Sequence, residues 1–559
     1  MPSYNVNKKN NFEKIVPLPA LILLLIIFLI PLINTLTQAF VEDGSFTLSF
    51  IKEAFTSPYT RQILSFTINQ ALVSTLICLL IGLPGAYLLS NYEIKSKKVI
   101  LGICSIPFIL PSILVILGFV SFYGNNGLLN QLLMKLFNLD EAPLKILYSY
   151  KAIILAHSFY NFPVILLLVT TYWDNLNPKL ESSSYVFGAT RIQTFFNVTL
   201  RRLLPSILSS SLLVFLFCFT SFSIILVLGG GPKYTTMEVE IYRQARINMN
   251  INAAAAYSLV SILFCIVLLL LYLSSQKLLS SSESIVNDSY YKQKKPASKG
   301  GKIAAILYFF MAIIFVLAPI LSIIFKSFRG TITRGGDKVF TLKFYRQLFG
   351  MESSSGVMND ATPAIFMSLK IATIVALLMI PIVLSLAIST KRKNTFSSNL
   401  IELIAMLPIA ISSVIIGLGY YLISARATSI PPMILVVLAH LVIALPFALR
   451  IITPELDKLP KFLSLSAISL GASPFRAFVD IELPLIKKPL IKAAIFSFAT
   501  SMGEINATLV LSSSKIETIP VVMYRLIGSY NFAGACALGT ILIVVCAIVF
   551  ITSGSSKKV

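Results

Sequence analysis

Charged residues are scarce in this chain. Only 12% of its 559 residues are Asp, Glu, Lys or Arg, whereas 56% are hydrophobic, and the mean hydropathy is +0.85. Soluble domains carry about 25% charged residues, so these values exclude a water-soluble protein. The apolar residues come in blocks of roughly twenty, the length of a helix that crosses a bilayer. Segments of alternating polarity that would build a β-barrel do not occur, so we expect an all-α integral membrane protein.

Twelve apolar blocks predict about twelve transmembrane helices. They are residues 16–36, 67–90, 99–122, 152–172, 206–228, 253–274, 303–325, 367–389, 399–423, 431–452, 489–511 and 534–553. The first block is longer than the apolar region of a secretory signal and lacks a small-residue cleavage site, which predicts an uncleaved anchor.

The formal net charge of +23 is concentrated at the ends of these blocks. Basic clusters precede the first block, follow the second and eighth, and close the chain: Lys8, Lys9, Lys14, Lys95, Lys97, Lys98, Lys391, Arg392, Lys393, Lys557 and Lys558. With the N-terminus inside the cell, all of them are cytoplasmic, as the positive-inside rule requires. The predicted external loop 326–366, which carries six Lys and Arg residues, departs from it. The pattern predicts that both termini are cytoplasmic. It also predicts that the basic residues interact with the lipid bilayer and not with nucleic acid.

The chain is an internal repeat of two halves. Residues 275–302 form the only long polar, Ser- and Lys-rich stretch between blocks, which predicts a cytoplasmic linker between halves 1–274 and 303–559. Residues 153–200 align without gaps with residues 436–483. The aligned identities include His157/His440, Pro163/Pro446, Asp174/Asp457 and Gly188/Gly471, and the segment from Pro107 to Gly118 resembles that from Pro408 to Gly419. Because each half has six spans, the repeats are parallel, and a pathway is expected between them.

Residues suited to metal binding or nucleotide chemistry are few. The six cysteines lie in apolar blocks without a CxxC pair, which predicts buried thiols. The only two histidines, His157 and His440, lack Cys, Asp or Glu at ligand spacing, so we expect them to make helix-packing hydrogen bonds between the halves. No GxxxxGK(S/T) run occurs, so ATP hydrolysis by the usual route is not expected, nor is a cofactor or an enzymatic activity in this chain.

The most informative segments follow the fourth block of each half. They read SSSYVFGATRIQTFFNVTLRRLLP from Ser182 and LSAISLGASPFRAFVDIELPLIKKP from Leu465, and we call them the first and second elbow. Both are too polar to span a membrane, and a glycine that permits a sharp turn separates two helical stretches. This pattern predicts a helix-turn-helix whose apolar face docks on another protein. The residues assigned to this role are Ser183, Gly188, Ala189, Phe195, Val198, Leu200, Ala467, Gly471, Ala472, Phe478, Ile481, Leu483 and Pro484.

The elbows resemble the EAA loop of ABC-importer permeases, whose pattern is EAA, three residues, Gly, nine residues, Ile, one residue, Leu-Pro. The second elbow matches at Ala467, Gly471, Ile481, Leu483 and Pro484, and the first at Gly188 and Leu200, with Val198 for Ile and Arg201 for Pro. Ser182 and Leu465 replace the initial Glu. The resemblance implies two separate ATP-binding subunits that hold the elbows and rock the halves, and an extracytoplasmic solute-binding protein that delivers the ligand, all at the cytoplasmic membrane.

A fused two-half permease is similar to those that serve thiamine, iron(III) and polyamine-type ligands. The run FTSFSIILVLGGGPKYTTMEVEIYRQA from Phe219 looks most like thiamine permeases, while SMGEINATLVL from Ser501 and IPVVMYRLIG from Ile519 resemble the wider iron(III) and thiamine group. The resemblance implies thiamine or its phosphates as the substrate, with iron(III) as the alternative.

Glu504 lies within the eleventh block, beside Asn506. A carboxylate at the bilayer centre costs at least about 2.5–3.5 kcal/mol, so it must face a cavity or a partner. We expect Glu504 and Asn506 to line the pathway opposite Ser221 and Ser223, where one acid complements cationic thiamine. A structural hydrogen bond to a neighbouring helix is the other interpretation.

Two other classes of membrane protein remain as alternatives. A secondary transporter driven by an ion gradient would carry a charged Gly-Asp-Arg-type motif between the second and third spans, where this chain has NYEIKSKK at 91–98, and more intramembrane acids. A membrane scaffold that transports nothing would explain neither the doubled elbow nor the repeat.

Overall fold

The computed structural model describes residues 16–283, 299–331, 338–352, 360–390, 396–512 and 516–554. Across these ranges the chain is helical, apart from two small antiparallel hairpins. Strand β1 (Val41–Glu42) pairs with β2 (Ser45–Phe46), and β3 (Arg329–Thr331) pairs with β4 (Lys338–Phe340). Within the described ranges, ten helices are long and apolar enough to cross a membrane, or eleven if one bent pair is a single span. The predicted all-α membrane fold is confirmed, and the count agrees roughly with twelve.

The helices of the first half are α1 (Pro17–Leu24), α2 (Ile30–Gln38), α3 (Ser49–Thr56), α4 (Pro58–Asn91), α5 (Lys97–Ile109), α6 (Ser112–Tyr123), α7 (Leu128–Phe137), α8 (Tyr150–Asp174), α9 (Lys179–Val186), α10 (Arg191–Thr194), α11 (Leu200–Phe219), α12 (Ser223–Leu228), α13 (Met237–Tyr242) and α14 (Ile251–Glu283). Short π-helical segments continue three of them, at Leu25–Leu29, Phe195–Thr199 and Arg243–Ile247, and Pro232–Tyr234 is a 3-10 turn.

The helices of the second half are α15 (Lys299–Ser327), α16 (Lys343–Leu348), α17 (Thr362–Thr390), α18 (Phe396–Ala410), α19 (Ser413–Arg426), α20 (Pro432–Asp457), α21 (Lys461–Ser469), α22 (Pro474–Ala477), α23 (Leu483–Gly503), α24 (Asn506–Leu511), α25 (Ile519–Gly528) and α26 (Phe532–Gly554), with a π-helical segment at Phe478–Glu482. From α4 and α17 onward the helices of the two halves follow in the same order, except that α7 has no counterpart in the second half. Helix α23 has the length of a span but carries Lys487, Lys488 and Lys492, which lower its hydropathy.

The predicted linker 275–302 overlaps two helices. Residues 275–283 continue α14, and residues 299–302 begin α15. Its middle, residues 284–298, lies outside the described residues, as do the basic clusters at the termini and at 391–393, so the division into 1–274, linker and 303–559 stays a prediction.

Four predicted spans are interrupted. Blocks 99–122 and 399–423 divide into α5/α6 and α18/α19, and the second pair bends by 96°. Leu110 is extended, at ψ 142°, because the following Pro111 disfavours a helical residue before it. In the other half, the Ser412 hydroxyl starts a new helix by accepting a hydrogen bond from the Val414 amide. Non-helical backbone at membrane depth occurs only inside protein or beside a cavity, so these breaks point to the functional site.

Two further breaks lie in the later blocks 206–228 and 489–511, which divide into α11/α12 and α23/α24. The α11 helix ends at Phe219, and Glu504 is extended, at ψ 111°, between α23 and α24. Both halves therefore carry the same pair of broken spans.

The first span of each half packs against a broken span of the other half. Helix α2 contacts α19, and α15 contacts α6. Glycines permit both contacts, because a Cβ atom on Gly419 would lie 2.4 Å from the backbone oxygen of Pro31, and one on Gly118 would lie 3.1 Å from that of Pro319. Small residues at such crossings let helix backbones approach closely in a membrane. The matching glycines that end the two aligned segments thus hold the two halves together.

We expect Gly419→Ala to destabilise the protein, because its new methyl group would collide with the backbone of α2. Overpacking costs about 1–3 kcal/mol, more than the roughly 0.5–1 kcal/mol that alanine ordinarily gains over glycine within a helix. The measurement is the melting temperature of the purified protein in detergent. Gly102→Ala is the matched control, because a methyl group there meets no atom within 4 Å. Equal melting temperatures for the two variants would contradict the contact.

Candidate functional site

A cavity of about 230 Å³ lies between the two halves where the broken spans meet. We call it the interhalf cavity. Residues from all four breaks line it: Leu110, Pro111, Thr220, Ser221, Phe222, Ile411, Ser412 and Glu504. In membrane transport proteins, discontinuous helices of this kind form substrate sites between repeats.

Equivalent hydrogen bonds join the breaks within each half. The Ser223 hydroxyl donates to the Ser112 hydroxyl at 2.8 Å, and the Asn506 side-chain amide donates to the Ser413 hydroxyl at 3.0 Å. The spacing of the repeat pairs Ser223 with Asn506 and Ser221 with Glu504. All four predicted pathway residues line the interhalf cavity. The structure therefore brings them together, while their part in transport stays a prediction.

Glu504 makes the two halves of the cavity chemically unequal. Its side chain is partly exposed, and its Oε1 accepts a hydrogen bond from the Ala507 amide at 3.0 Å. The equivalent residue, Ser221, carries no charge and is hydrogen-bonded to His157 Nε2 at 2.9 Å. The residues that line this cavity include one carboxylate and neither Lys nor Arg. Among the residues that line the interhalf cavity, the one carboxyl group thus lies on the side of the second half.

Each of the two histidines forms hydrogen bonds within its own half. His157 Nδ1 lies 3.3 Å from the Ser74 hydroxyl, and His440 is bonded to the Ser501 and Thr508 hydroxyls at 2.8 and 2.9 Å. These are helix-packing bonds, as predicted, but they lie within each half and not between the halves. The six cysteines are buried and unpaired, and the described residues contain no group of three or more His, Cys, Asp or Glu that could hold a metal ion.

A second cavity, of about 640 Å³, lies nearer the elbows. We call it the elbow-side cavity. It is lined by the later parts of α8 and α20, for example Leu168 and Thr453, whereas the interhalf cavity is lined by earlier residues of α8, such as His157. The elbow-side cavity also contains Glu402 and Arg450, and the Arg450 guanidinium lies 4.9 Å from the ring centre of Tyr272.

Four phenylalanines line both cavities, and we call them the aromatic partition: Phe108, Phe217, Phe447 and Phe496. Their ring centres are 5.9 Å apart for Phe108 and Phe217, 6.3 Å for Phe217 and Phe447, and 5.7 Å for Phe447 and Phe496. These distances are typical of packed aromatic pairs. Each half contributes two rings, and the Phe217–Phe447 pair joins the two halves.

Both elbows form the predicted helix-turn-helix. Gly188 and Gly471 have φ of +81° and +98°, which L side chains rarely adopt, and each separates two short helices. Side chains then restart the chain as a helix. Thr190 forms a capping box with Gln193 at α10, and the Ser473 hydroxyl accepts a hydrogen bond from the Arg476 amide at α22. Local sequence alone therefore specifies the turn.

The exposed apolar surface of the elbows lies beside the glycines. Phe187 and Leu470, each just before the glycine, are 88% and 90% exposed, and Ile192 and Phe475, four residues after it, are 71% and 62% exposed. Sequence reasoning missed these residues. The signal was available, because an apolar side chain occupies both positions in both halves.

The residues predicted to dock are more enclosed. The ring of Phe195 packs 6.2 Å from that of Tyr87 and 6.3 Å from that of Trp173, so it faces the protein. Partly exposed side chains are those of Ala189, Phe195, Val198, Leu200, Ala467, Ala472, Phe478, Ile481 and Leu483, while Ser183 and Pro484 are exposed. Their location in the two elbows is as expected, and their part in docking stays a prediction.

The known proteins to which this chain is similar are membrane components of transport systems. Residues 79–281 match the binding-protein-dependent transport system inner membrane component family. The chain is 26% identical over 502 residues to the thiamine transport system permease protein ThiP of Haemophilus influenzae, covering 89% of this chain and 88% of that protein. ThiP of Escherichia coli is 24% identical, with 88% of each chain covered.

Two further proteins show similarity to this chain. The ferric transport system permease protein FbpB of Actinobacillus pleuropneumoniae is 26% identical over 94% of this chain and 76% of its own length. One chain in a crystal structure of a bacterial ABC transporter that imports the acidic polysaccharide alginate covers 47% of this chain and 93% of itself, with a TM-score of 0.40 and 20% identity. The family match and the relatives confirm the predicted resemblance to a two-half ABC-importer permease. The chain is a multi-pass permease of the inner membrane.

Proposed function

We propose that this permease carries thiamine, delivered by an extracytoplasmic binding protein, across the cytoplasmic membrane. The observation that carries the substrate is the likeness to thiamine permeases along 88–89% of the chain. The run from Phe219 to Ala245 supports it, because this run resembles thiamine permeases and includes the break that lines the interhalf cavity. Iron(III) is the second candidate, favoured by the similarity to the ferric permease.

Two copies of a separate ATPase bind the two elbows in this proposal. The exposed pairs Phe187/Leu470 and Ile192/Phe475 give both elbows the same kind of apolar anchor, as two copies of one partner would require. Exposed apolar side chains at such density mark protein interfaces. The ATPases lie in the cytoplasm, so the elbows and both termini are cytoplasmic.

Movement of the elbows reaches the pore through continuous helices. The first elbow passes through the π-helical segment Phe195–Thr199 into α11, which carries Phe217, and the second passes through Phe478–Glu482 into α23, which carries Phe496. When ATP binding brings the two ATPases together, the elbows move α11 and α23. This movement separates the rings of the aromatic partition or packs them together. The pathway then runs from the interhalf cavity, with Glu504, Asn506, Ser221 and Ser223, to the elbow-side cavity.

Delivery takes place on the face opposite the elbows. Loops 229–252 and 512–533 lie at the ends of the broken spans that line the interhalf cavity, so a binding protein seated there releases its ligand towards Glu504. Residues 513–515 of the second loop lie outside the described residues.

Reconstituted vesicles test this function. The permease, its ATPase and its binding protein are incorporated together, and uptake of radiolabelled thiamine and of iron(III) is measured with and without ATP. We expect thiamine uptake that requires ATP and both partners. Uptake of iron(III) alone would favour the second candidate, and uptake driven by an ion gradient without an ATPase would refute the ABC mechanism.

A further inference from the structure

A hairpin and a short helix follow the first span of each half. Strands β1 and β2 with α3 form the first hairpin unit, and β3 and β4 with α16 form the second. Three spans separate each unit from the elbow of its half, so units and elbows lie on opposite faces of the membrane. We propose that both hairpin units lie in the lipid headgroup layer, and that the second one binds anionic phospholipid. This inference involves neither the substrate nor the ATPase and is independent of the proposed function.

The two hairpin units are a further part of the internal repeat. Residues 46–55, FTLSFIKEAF, align with residues 340–349, FTLKFYRQLF, with five identities. The Thr47 and Thr341 amides donate to the carbonyl oxygens of Phe40 and Phe328 at 2.9 and 2.8 Å. Each threonine hydroxyl then accepts a hydrogen bond, at 3.1 Å, from the amide two residues later. The same sequence pattern and the same hydrogen bonds therefore build the unit twice.

Each hairpin unit packs one face on the protein and exposes an apolar face. Helix α3 contacts α14 and α16 contacts α26, and the aligned residues Ala54 and Leu348 are buried. Phe46 and Phe340, also aligned, are 75% and 72% exposed. Two more aligned apolar pairs are exposed to similar degrees, Leu48/Leu342 and Phe55/Phe349. An apolar patch of this kind marks an interaction surface, and its presence in both halves requires a partner that both halves meet.

The hairpin units begin close to the ends of membrane-spanning helices. Strand β1 starts three residues after α2 ends, and β3 starts two residues after α15 ends. One residue spans at most about 3.6 Å, so each hairpin begins within about 11 Å of its span. This is the depth of the headgroup layer, where aromatic side chains concentrate in membrane proteins.

The exposed apolar face is continuous with a surface that faces lipid. Phe325, near the end of the spanning helix α15, is exposed, so lipid covers it. Three residues later, Phe328 stacks on Phe340 with ring centres 5.2 Å apart. Phe40 stacks on Phe46 in the same way in the first half, at 6.1 Å. The partner common to both units is therefore the bilayer.

Charge distinguishes the second hairpin unit from the first. Ser49 and Glu53 of the first unit align with Lys343 and Gln347 of the second. In the hairpins, the residue after Phe40 is Val41, whereas the residue after Phe328 is Arg329. Each of these three differences adds one positive charge to the second unit. This unit lies in the loop that departs from the positive-inside rule, so its basic residues need a specific anionic partner.

The basic side chains of the second unit are placed to meet lipid phosphate. The Arg329 guanidinium lies 5.0 Å from the ring centre of the lipid-facing Phe325, and Lys343 and Arg346 are exposed. Arg346 also pairs with Glu352 at 3.3 Å, but this pair is exposed and such pairs are weak in water. Guanidinium and ammonium groups bind phosphate, and basic residues at a membrane surface attract anionic lipid.

Tryptophan fluorescence tests the position of the units, because Trp173 is the only tryptophan of the chain. Phe46→Trp and Phe340→Trp are made in a Trp173→Phe background, and the full-length permease is placed in nanodiscs of phosphatidylcholine brominated on its upper acyl chains. We expect at least twofold quenching at both positions relative to unbrominated lipid. Phe187→Trp, on the first elbow, is the control and should keep nearly all of its fluorescence. If Trp173→Phe does not fold, the signals are read as differences from the wild type, whose Trp173 is buried.

Brominated phosphatidylglycerol, diluted into unbrominated phosphatidylcholine, tests the anionic site. It should quench Phe340→Trp at a mole fraction at least threefold lower than brominated phosphatidylcholine does, and Phe46→Trp should show no such preference. Lys343→Gln with Arg346→Gln should remove the preference at Phe340→Trp and leave quenching by phosphatidylcholine unchanged. Lys52→Gln with Lys145→Gln is the matched control, because both residues are exposed on the same face outside the second unit.

Absence of quenching at both positions overturns the inference. If the fluorescence then changes only when the binding protein is added, the exposed face belongs to that partner. Equal quenching of Phe340→Trp by the two lipids overturns the anionic site, as does a preference that survives the loss of Lys343 and Arg346. No step uses thiamine or ATP, so each of these results leaves the proposed function as it stands.

Discussion

The double substitution of Phe187 and Leu470 by Asp should abolish ATP-driven uptake while the permease stays folded. Both side chains are almost fully exposed, so the change removes no packing within the chain. Truncating an anchor residue at an interface commonly costs about 2 kcal/mol or more, so each copy of the ATPase, which loses one anchor, should bind its elbow roughly 30-fold more weakly. The measurements are co-purification of the ATPase and ATP-dependent uptake in vesicles.

The control for this variant exchanges the two residues, Phe187→Leu with Leu470→Phe. Each elbow then carries the side chain that the repeat places in the other, and both anchors stay apolar, so uptake should remain within a few-fold of the wild type. If the Asp variant still binds its ATPase normally, the docking surface lies elsewhere on the elbows, and the enclosed residues Phe195 and Phe478 become the candidates.

The variant Phe217→Ala with Phe447→Ala should make the pore leak. These rings belong to different halves, with centres 6.3 Å apart, and both line the interhalf cavity as well as the elbow-side cavity. Removing both opens a passage between the two cavities. We expect thiamine to escape from preloaded vesicles without ATP at least tenfold faster than from wild-type vesicles, while ATP hydrolysis continues without net uptake.

Phe315→Ala is the aromatic control for the leak. Its ring packs 5.6 Å from Phe159 and 6.1 Å from Phe162 and lines neither cavity, so its loss should lower stability without opening a passage. Tight vesicles with the Phe217/Phe447 variant would show that another layer of residues closes the pore.

Hydropathy predicted where the chain crosses the membrane but not where the helices break. An average over some twenty residues cannot detect two extended residues such as Leu110 and Pro111. In the first half, Pro111 is a local sequence signal for a break in the helix. In the second half Ser412 stands at the equivalent position, and its hydroxyl group caps the helix that follows the break. The repeat supplies the missing information, because a break found in one half is expected at the aligned position of the other.

The location of the elbows was predictable because their glycine and capping residues act locally. Their exposed face was not. The ring of Phe195 is covered by Tyr87 from α4 and Trp173 from α8, and no pattern within the elbow itself indicates these distant partners. Similarly, the chemistry of Glu504 and Ser221 predicted that both residues line one pathway. That the interhalf cavity has an acidic side and a neutral side became evident only from the structure, in which these two equivalent residues line the same cavity.

The contact of α2 with α19 has a consequence for how the protein is made. Residues Ile30–Gln38 leave the ribosome long before Ser413–Arg426 are synthesised. Until then, the backbone of Pro31 cannot pack against Gly419, and α2 remains in contact with lipid while α19 is still being translated. Maturation of the amino-terminal half therefore ends only after the first three spans of the carboxy-terminal half have entered the bilayer.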